Sequence, residues 1–231
     1  QDQTGDHRVM VEHPEEVVLG IRVIMKALNV KKGYIAIEVN KPDAIEAVTN
    51  AAKDFSEVEV VGLQVKYPQG AEKQLIYACT GREVPSGALP SAAGAVVDNV
   101  ATASQIAKTI KTGMPLIERI TTVTGSCIKK PANLITKVGT QVSEIIEQCG
   151  GFKEDVKVGK LIMGGPMMGM TQYTTNIVTN KGSSGILCIS DKEARLPEPS
   201  NCLRCGRCTQ VCPAFLQPLY NLADFDDIKK Q

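Results

Sequence analysis

YIAIEVNKPDAIEAVTNAAKDFSEVEVVGLQV, residues 34–65, decides the fold of the first half of the chain. YIAIEV (34–39) and VEVVGLQV (58–65) are short and rich in β-branched residues, so both read as strands. Between them Pro42 and Asp43 open a helix, DAIEAVTNAAKDF. Proline is tolerated at the first helical position, and a carboxylate is favoured near the positive end of the helix dipole. Strand, helix and strand within 32 residues make one βαβ unit, which predicts a parallel sheet. Upstream, Pro14, Glu15 and Glu16 start another helix. In EEVVLGIRVIMKAL the residues Val17, Val18, Ile21, Ile24, Met25 and Leu28 fall on one apolar stripe. Downstream, Glu72 to Cys79 and ATASQIAKTIK (101–111) read as two more helices.

Outward from this unit the chain divides into three regimes, 1–113, 114–192 and 193–231. The second is rich in Thr, Val, Ile and Gly. Its strand patterns flank one short helix, Gln141 to Gln148, ended by Gly150 and Gly151, which fits a compact β-rich fold. The third follows a proline-rich joint, LPEPSN (196–201), and closes on an acidic tail. The chain has 231 residues, 43% of them hydrophobic, enough to bury a core. Lys+Arg 26 against Asp+Glu 25 gives a net charge of +1, so no basic field gathers phosphate backbones and nucleic acid is not an expected partner. There is no apolar leader at the start and no run of 18 apolar residues. These features predict a reducing, cytosolic setting. Cys79, Cys127, Cys149 and Cys188 stand among apolar neighbours and are expected to be buried free thiols.

The outlier is Cys202-Leu-Arg-Cys205-Gly-Arg-Cys208-Thr-Gln-Val-Cys212-Pro213, a C-x₂-C-x₂-C-x₃-C-P run. Three cysteines two residues apart can wrap one 4Fe–4S cube, and Gly206 lets the backbone pass close to it. In two-cluster ferredoxins the fourth cysteine ligates the other cluster. Structural zinc sites use two separated Cys/His pairs, so the spacing points to iron and sulfur. No second run follows in FLQPLYNLADFDDIKKQ (215–231). Either Cys212 folds back onto the local cluster, or the second motif belongs to a longer protein of which this chain is a piece. The second alternative is the expectation adopted, with poor iron binding and no activity for the piece alone.

Several segments resemble one family, RnfC, the C component of the Rnf electron-transport complex. They are Tyr67-Pro-Gln-Gly70-Ala-Glu72, GREVPSGALP (81–90), VVDNVAT (96–102), PLIERITTVTG (115–125), GGPMMGM (164–170), NIVTNKGSSGILCI (176–189) and the cysteine run. The resemblance implies an α/β fold. A partial flavin-binding domain like the NADH-binding subunit of complex I is followed by a β-grasp, soluble-ligand-binding domain and a ferredoxin-like tail. It also implies FMN, NADH and two 4Fe–4S clusters in the full-length protein. The implied partners are a ferredoxin-type carrier and other Rnf subunits, including integral ones, with this subunit peripheral on the cytoplasmic face of the membrane. The implied activity is electron transfer between NADH, flavin and the clusters, as part of an NAD-linked ferredoxin oxidoreductase.

Carried over residue by residue, Tyr67, Gly70, Glu72 and Asn99 match the relative's flavin segments, whereas Ala71 and Ala101 replace acidic residues. The resemblance places the family's glycine-rich phosphate loop upstream of these residues, and QDQTG does not match the family at that end. Cys202, Cys205, Cys208 and Cys212 are the implied iron ligands. Two other readings stay open. One is a paralogous reductase subunit serving another acceptor, such as a cobalamin or an amino-acid reductase. The other is a zinc-stabilised docking scaffold.

The softer signals read as structural. Met163, Met167, Met168 and Met170 are expected as gap-filling core or turn residues. Gly164 and Gly165 are expected to supply positive φ. His7 and His13 lack ligand spacing, and GREVPSG is expected as a loop packed on the domain.

Overall fold

Pro14 is the first residue of the helix on which the first half is assembled. The structure is a computed structural model that describes residues 4–196, 198, 201–212 and 216–218. Helix α2, Pro14–Leu28, has Glu15 and Glu16 in its first turn and ends on Asn29 in the left-handed conformation, whose N–H reaches the Lys26 carbonyl. Its stripe buries Val17, Val18 and Met25. Strand β1, Gly33–Glu38, and strand β2, Val58–Leu63, pair in parallel, Gly33 opposite Val58 and Glu38 opposite Leu63. Helix α3, Pro42–Ala52, makes the crossover and buries Ala44, Val48 and Ala52. Helix α4, Glu72–Thr80, packs on β1, and helix α5, Val100–Thr112, packs on α2. Helices α2 and α3 share one core with Ile35, Ile37 and Val58, and Val100 of α5 packs against it. Helix α1, Thr4–Glu12, was not expected from the sequence; it packs on α2, α3 and α5 and buries Val9 and Met10 in the same core.

Two approaches fix how the layers meet. Gly20 faces α5 so closely that a Cβ there would lie 1.9 Å from the Ala103 carbonyl oxygen. Arg22 lies 3.9 Å over the Phe55 ring and donates to Glu57 at 3.0 Å, tying α2 to the turn before β2.

The second half is a five-stranded sheet. Its strands are β3, Glu118–Thr124, β4, Ala132–Lys137, β5, Val158–Met163, β6, Met170–Gln172, and β7, Gly185–Ser190. The order is β4-β3-β7-β5-β6. The first and last strands, β3 and β7, run parallel at the centre, and every other pairing is antiparallel. Helix α6, Val142–Gln148, covers the sheet and buries Val142, Ile145 and Ile146. This is the β-grasp arrangement. Gly150 and Gly151 follow α6 with φ of 80° and 77°. Its core holds Val123, Cys127, Ile128, Cys149, Ile186 and Cys188.

Cys127, Cys149 and Cys188 are buried and free as expected, while Cys79 is only half-buried. Burial pushes the Cys188 thiol up to about 12, with the neighbouring Cys127 and Cys149 adding to it, so it stays protonated. Met163 packs against this core, whereas Met167, Met168 and Met170 are exposed in and beside the turn. Gly164 has φ 107°, but Gly165 is not among the positive-φ residues; its carbonyl instead accepts from the Gly169 N–H at 2.8 Å. The GREVPSG loop packs back on its domain through Arg82, which donates to the Ala93 carbonyl at 2.8 Å.

Beyond β7 come the single turn α7, Asp191–Ala194, and α8, Arg207–Val211. The expected acidic tail and Pro213 of the cysteine motif lie outside the described residues, as do three residues of the LPEPSN joint.

Candidate functional site

The chain leaves β2 at its carboxyl end and turns through Tyr67–Gly70 into the first residue of α4, Glu72. In parallel α/β sheets this end of the strands is where ligands bind. Tyr67 is 62% exposed, so its ring is available for a face-on contact. Gly70 has nothing within 4 Å of the space a Cβ would fill. Gln69 is buried and closes the turn with its N–H to the Lys66 carbonyl at 2.8 Å. Glu72 is exposed at the helix start.

Asn99 stands apart from this turn. It caps α5, its Oδ1 accepting the Ala101 N–H at 2.9 Å. Its Nδ2 donates to Asp6 of α1 at 2.6 Å. Both ends of the side chain are therefore engaged within the protein. α4 packs against β1 and the turn Pro90–Ala93, whereas α5 packs against α2 and α1.

Asn99→Ala is expected to cost the first half about 1 kcal/mol, read by urea unfolding, and Asn99→Ser to recover most of it by restoring the cap. No difference between the two variants would mean that Asn99 acts through Asp6 rather than through capping.

The test for FMN runs on these residues. An exposed ring, an open glycine and a carboxylate fit one wall of a flavin site. A phosphate needs convergent backbone N–H donors. Glu72 places a negative charge at the start of α4, the nearest helix N-terminus, so that end does not supply them.

Cys202, Cys205 and Cys208 are exposed and Cys212 is half-buried. Among the described residues no three Cys, His, Asp or Glu side chains are gathered as a metal-binding group. The donor chemistry nevertheless suits an iron–sulfur loop. The Arg204 N–H reaches Cys202 Sγ at 3.4 Å and the Leu216 N–H reaches Cys212 Sγ at 3.3 Å. Arg204 and Gly206 have φ of 54° and 73°, the tight turning such a loop needs. Hydrogen bonds to the sulfurs are among the factors that set cluster potentials. His7 Nε2, by contrast, donates to both carboxylate oxygens of Asp43, at 2.8 and 3.0 Å, and the contact holds the Asp43 carboxyl below its ordinary range.

The two halves meet along a cleft of about 310 Å³ between α1, α5 and the β3–β4 hairpin, lined by Arg8, Ser104, Lys108, Arg119 and Ile135 among others. At its end a chain of polar contacts joins them. The Gly5 N–H donates to Thr122 Oγ1 at 3.3 Å, Thr122 donates to Asn133 Oδ1 at 2.8 Å, and Asn133 Nδ2 donates to Thr4 at 2.8 Å.

Sequence reading missed a second polar cluster. Glu193 accepts from Ser126 Oγ, from the Ser190 N–H at 3.0 Å and from the Ser190 hydroxyl at 2.9 Å. These bonds, that from Ser126 foremost, hold its carboxyl below the ordinary range. The signal was present, since Ser190-Asp-Lys-Glu193 has the capping-box spacing.

The Nuo51 FMN-binding domain family matches residues 3–108, and the SLBB domain family matches residues 120–171. The chain is 52% identical over 222 residues to the C component of the Na(+)-translocating ferredoxin:NAD(+) oxidoreductase complex of Acetobacterium woodii, covering 96% of this chain and 49% of that protein. It is 50% identical to the C component of the proton-translocating ferredoxin:NAD(+) oxidoreductase complex of Clostridium ljungdahlii, covering 93% and 46%. It is 45% identical to the C component of the ion-translocating oxidoreductase complex of Rhodobacter capsulatus, covering 93% and 41%. The chain thus spans about half the length of the curated relatives it matches. Among solved structures, the NAD+-reducing NiFe hydrogenase in its H2-reduced state aligns with a TM-score of 0.62 at 14% identity, over 81% of this chain and 38% of that one. That likeness is one of fold.

Proposed function

The chain belongs to the RnfC family, the C components of the ion-translocating ferredoxin:NAD(+) oxidoreductase complexes, and from that premise we propose that the protein relays electrons between NADH, a flavin and iron–sulfur clusters. The observation that carries this reading is the order of parts. A domain of the FMN-binding type and a β-grasp domain are followed by four cysteines within eleven residues, spaced as in two-cluster ferredoxins.

The bound groups supply the conversion between a two-electron hydride and single electrons, and the chain supplies placement. Tyr67 and Gly70 offer a stacking face and clearance for a flat ring, and Glu72 bounds that face. Asn99 ties α5 to α1. Cys202, Cys205, Cys208 and Cys212 are the ligands assigned to iron, with the N–H groups of Arg204 and Leu216 polarising two of the sulfurs. Cys127, Cys149 and Cys188 lie apart from that run, buried in the β-grasp core, and burial raises each thiol. NADH and a ferredoxin-type carrier are the soluble partners, and other subunits of the complex, integral ones included, are the docking partners. Among the described residues no helix is long and apolar enough to cross a membrane. By likeness to the family, the proposed place is peripheral, on the cytoplasmic face of the membrane.

The test is anaerobic expression of the complete gene product. Flavin and iron–sulfur absorption are expected, both bleaching on addition of NADH. Cys205→Ser is expected to lower iron and labile sulfide while leaving the flavin band. Absence of bleaching in either chromophore overturns the electron-relay reading. Zinc without iron makes the third segment a docking scaffold.

A further inference from the structure

The cysteine run starts only eight positions after α7 ends, so whatever fixes α7 fixes where the run departs. α7 is a single turn and would fray on its own. Here it is held at three points. Glu193 takes three hydrogen bonds on one carboxylate oxygen, from Ser126 at the end of β3 and from both donors of Ser190 at the end of β7. The Ser190 N–H is shared with Ser126 Oγ at 3.0 Å, which closes a ring of contacts. The Asp191 N–H donates to the Lys157 carbonyl at 2.8 Å. Gly159 of β5 lets the turn lie flat on the sheet, since a Cβ there would meet the Asp191 Cα at 2.5 Å and the Ala194 Cβ at 2.7 Å. Beyond α7, Arg195 is extended, with ψ 126°. Leu196 and Glu198 each precede a proline in the sequence, a pattern that favours an extended, semi-rigid spacer.

We propose that Glu193 is a positioning residue: its clasp on Ser126 and Ser190 fixes the origin of the cysteine-bearing segment on the β-grasp sheet. The consequence for electron transfer rests on the redox reading above, and the clasp itself does not. Were the segment tethered only through a loose chain, the cluster assigned to it would have no set separation from the flavin-type domain. With α7 pinned, the segment that leads to the cysteines starts from a fixed point on the sheet.

The test is a distance measurement on the full chain. Tyr173 and Leu203 are 99% and 91% exposed, so each can be replaced by a genetically encoded ketone residue and spin-labelled without using any cysteine. The parent chain is expected to give a narrow distance distribution. Glu193→Ala and the milder Ser126→Ala are expected to broaden it at least twofold, with circular dichroism unchanged. Glu193→Gln keeps an acceptor oxygen and is expected to restore most of the narrow distribution. A merely stabilising role would lower the melting temperature and leave the distribution at low temperature as it was, which overturns the proposal. So does a parent distribution as broad as that of Glu193→Ala. Iron analysis of the full-length protein is independent. A sharp, clasp-dependent distance without iron keeps the clasp and removes the redox reading. Iron without clasp dependence does the reverse.

Discussion

Gly125→Ala is expected to destabilise the β-grasp half by about 3–5 kcal/mol, enough to leave it largely unfolded at growth temperature. Two effects combine. Gly125 has φ 119°, a conformation strained for any residue with a side chain. The added Cβ would also lie 2.0 Å from the Cys188 carbonyl oxygen and 2.6 Å from its carbon, which are backbone atoms of the neighbouring strand and cannot swing aside. That carbonyl accepts the Cys127 N–H at 3.2 Å, so the clash falls where β3 and β7 are joined at the centre of the sheet. Gly139→Ala is the control. Gly139 has φ 94° and nothing within 4 Å, so it carries the conformational cost alone, about 1–3 kcal/mol. Thermal unfolding followed by circular dichroism measures both. Equal losses in the two variants would show that the backbone approach at Cys188 contributes nothing.

Gly20→Ala should reverse an ordinary sign. In a helix interior this change normally stabilises by about 1 kcal/mol. In α2 the added methyl meets the Ala103 oxygen at 1.9 Å and its carbonyl carbon at 2.3 Å. The two helices must separate, which opens the contact that also carries the Ser104 hydroxyl to Glu16 at 2.9 Å. The expected net loss is about 2–4 kcal/mol, or roughly 10–20 °C in the unfolding temperature of the first half. A stabilised variant would mean that α2 and α5 do not pack in this register.

Much of the fold was legible because it follows from local pattern. Pro14 and Pro42 mark helix starts, and the short β-branched runs 34–39 and 58–65, joined by one helix, mark strands that pair in parallel. Helix α1 was not, because only its contacts with three other helices bury Val9 and Met10. Strand β6 is three residues long and is defined by pairing with β5, which no local pattern encodes. For the candidate site the residue types were legible, and the contacts those residues make within the fold were not. Asn99 matches a flavin-binding segment by sequence, but its two polar atoms serve a cap and a tether. The cysteine spacing names a ligand chemistry, while the clasp that seats the run lies in Ser126 and Glu193, 67 residues apart, which only the β3–β7 pairing brings together.

That same pairing gives the β-grasp half a direction. A domain whose terminal strands are antiparallel neighbours receives and returns the chain at one end, and can be cut out as a side branch. Here the terminal strands run the same way, with Thr122 opposite Gly185, so nine residue steps separate Glu118 from Ser190 along the pair. At roughly 3.3 Å per residue that is about 30 Å. The domain is an in-line strut: the chain enters at one end of the strand pair, leaves at the other, and reaches the first cysteine of the run twelve positions after Ser190. Deleting it would remove that offset between the point where the chain enters and the point where it leaves.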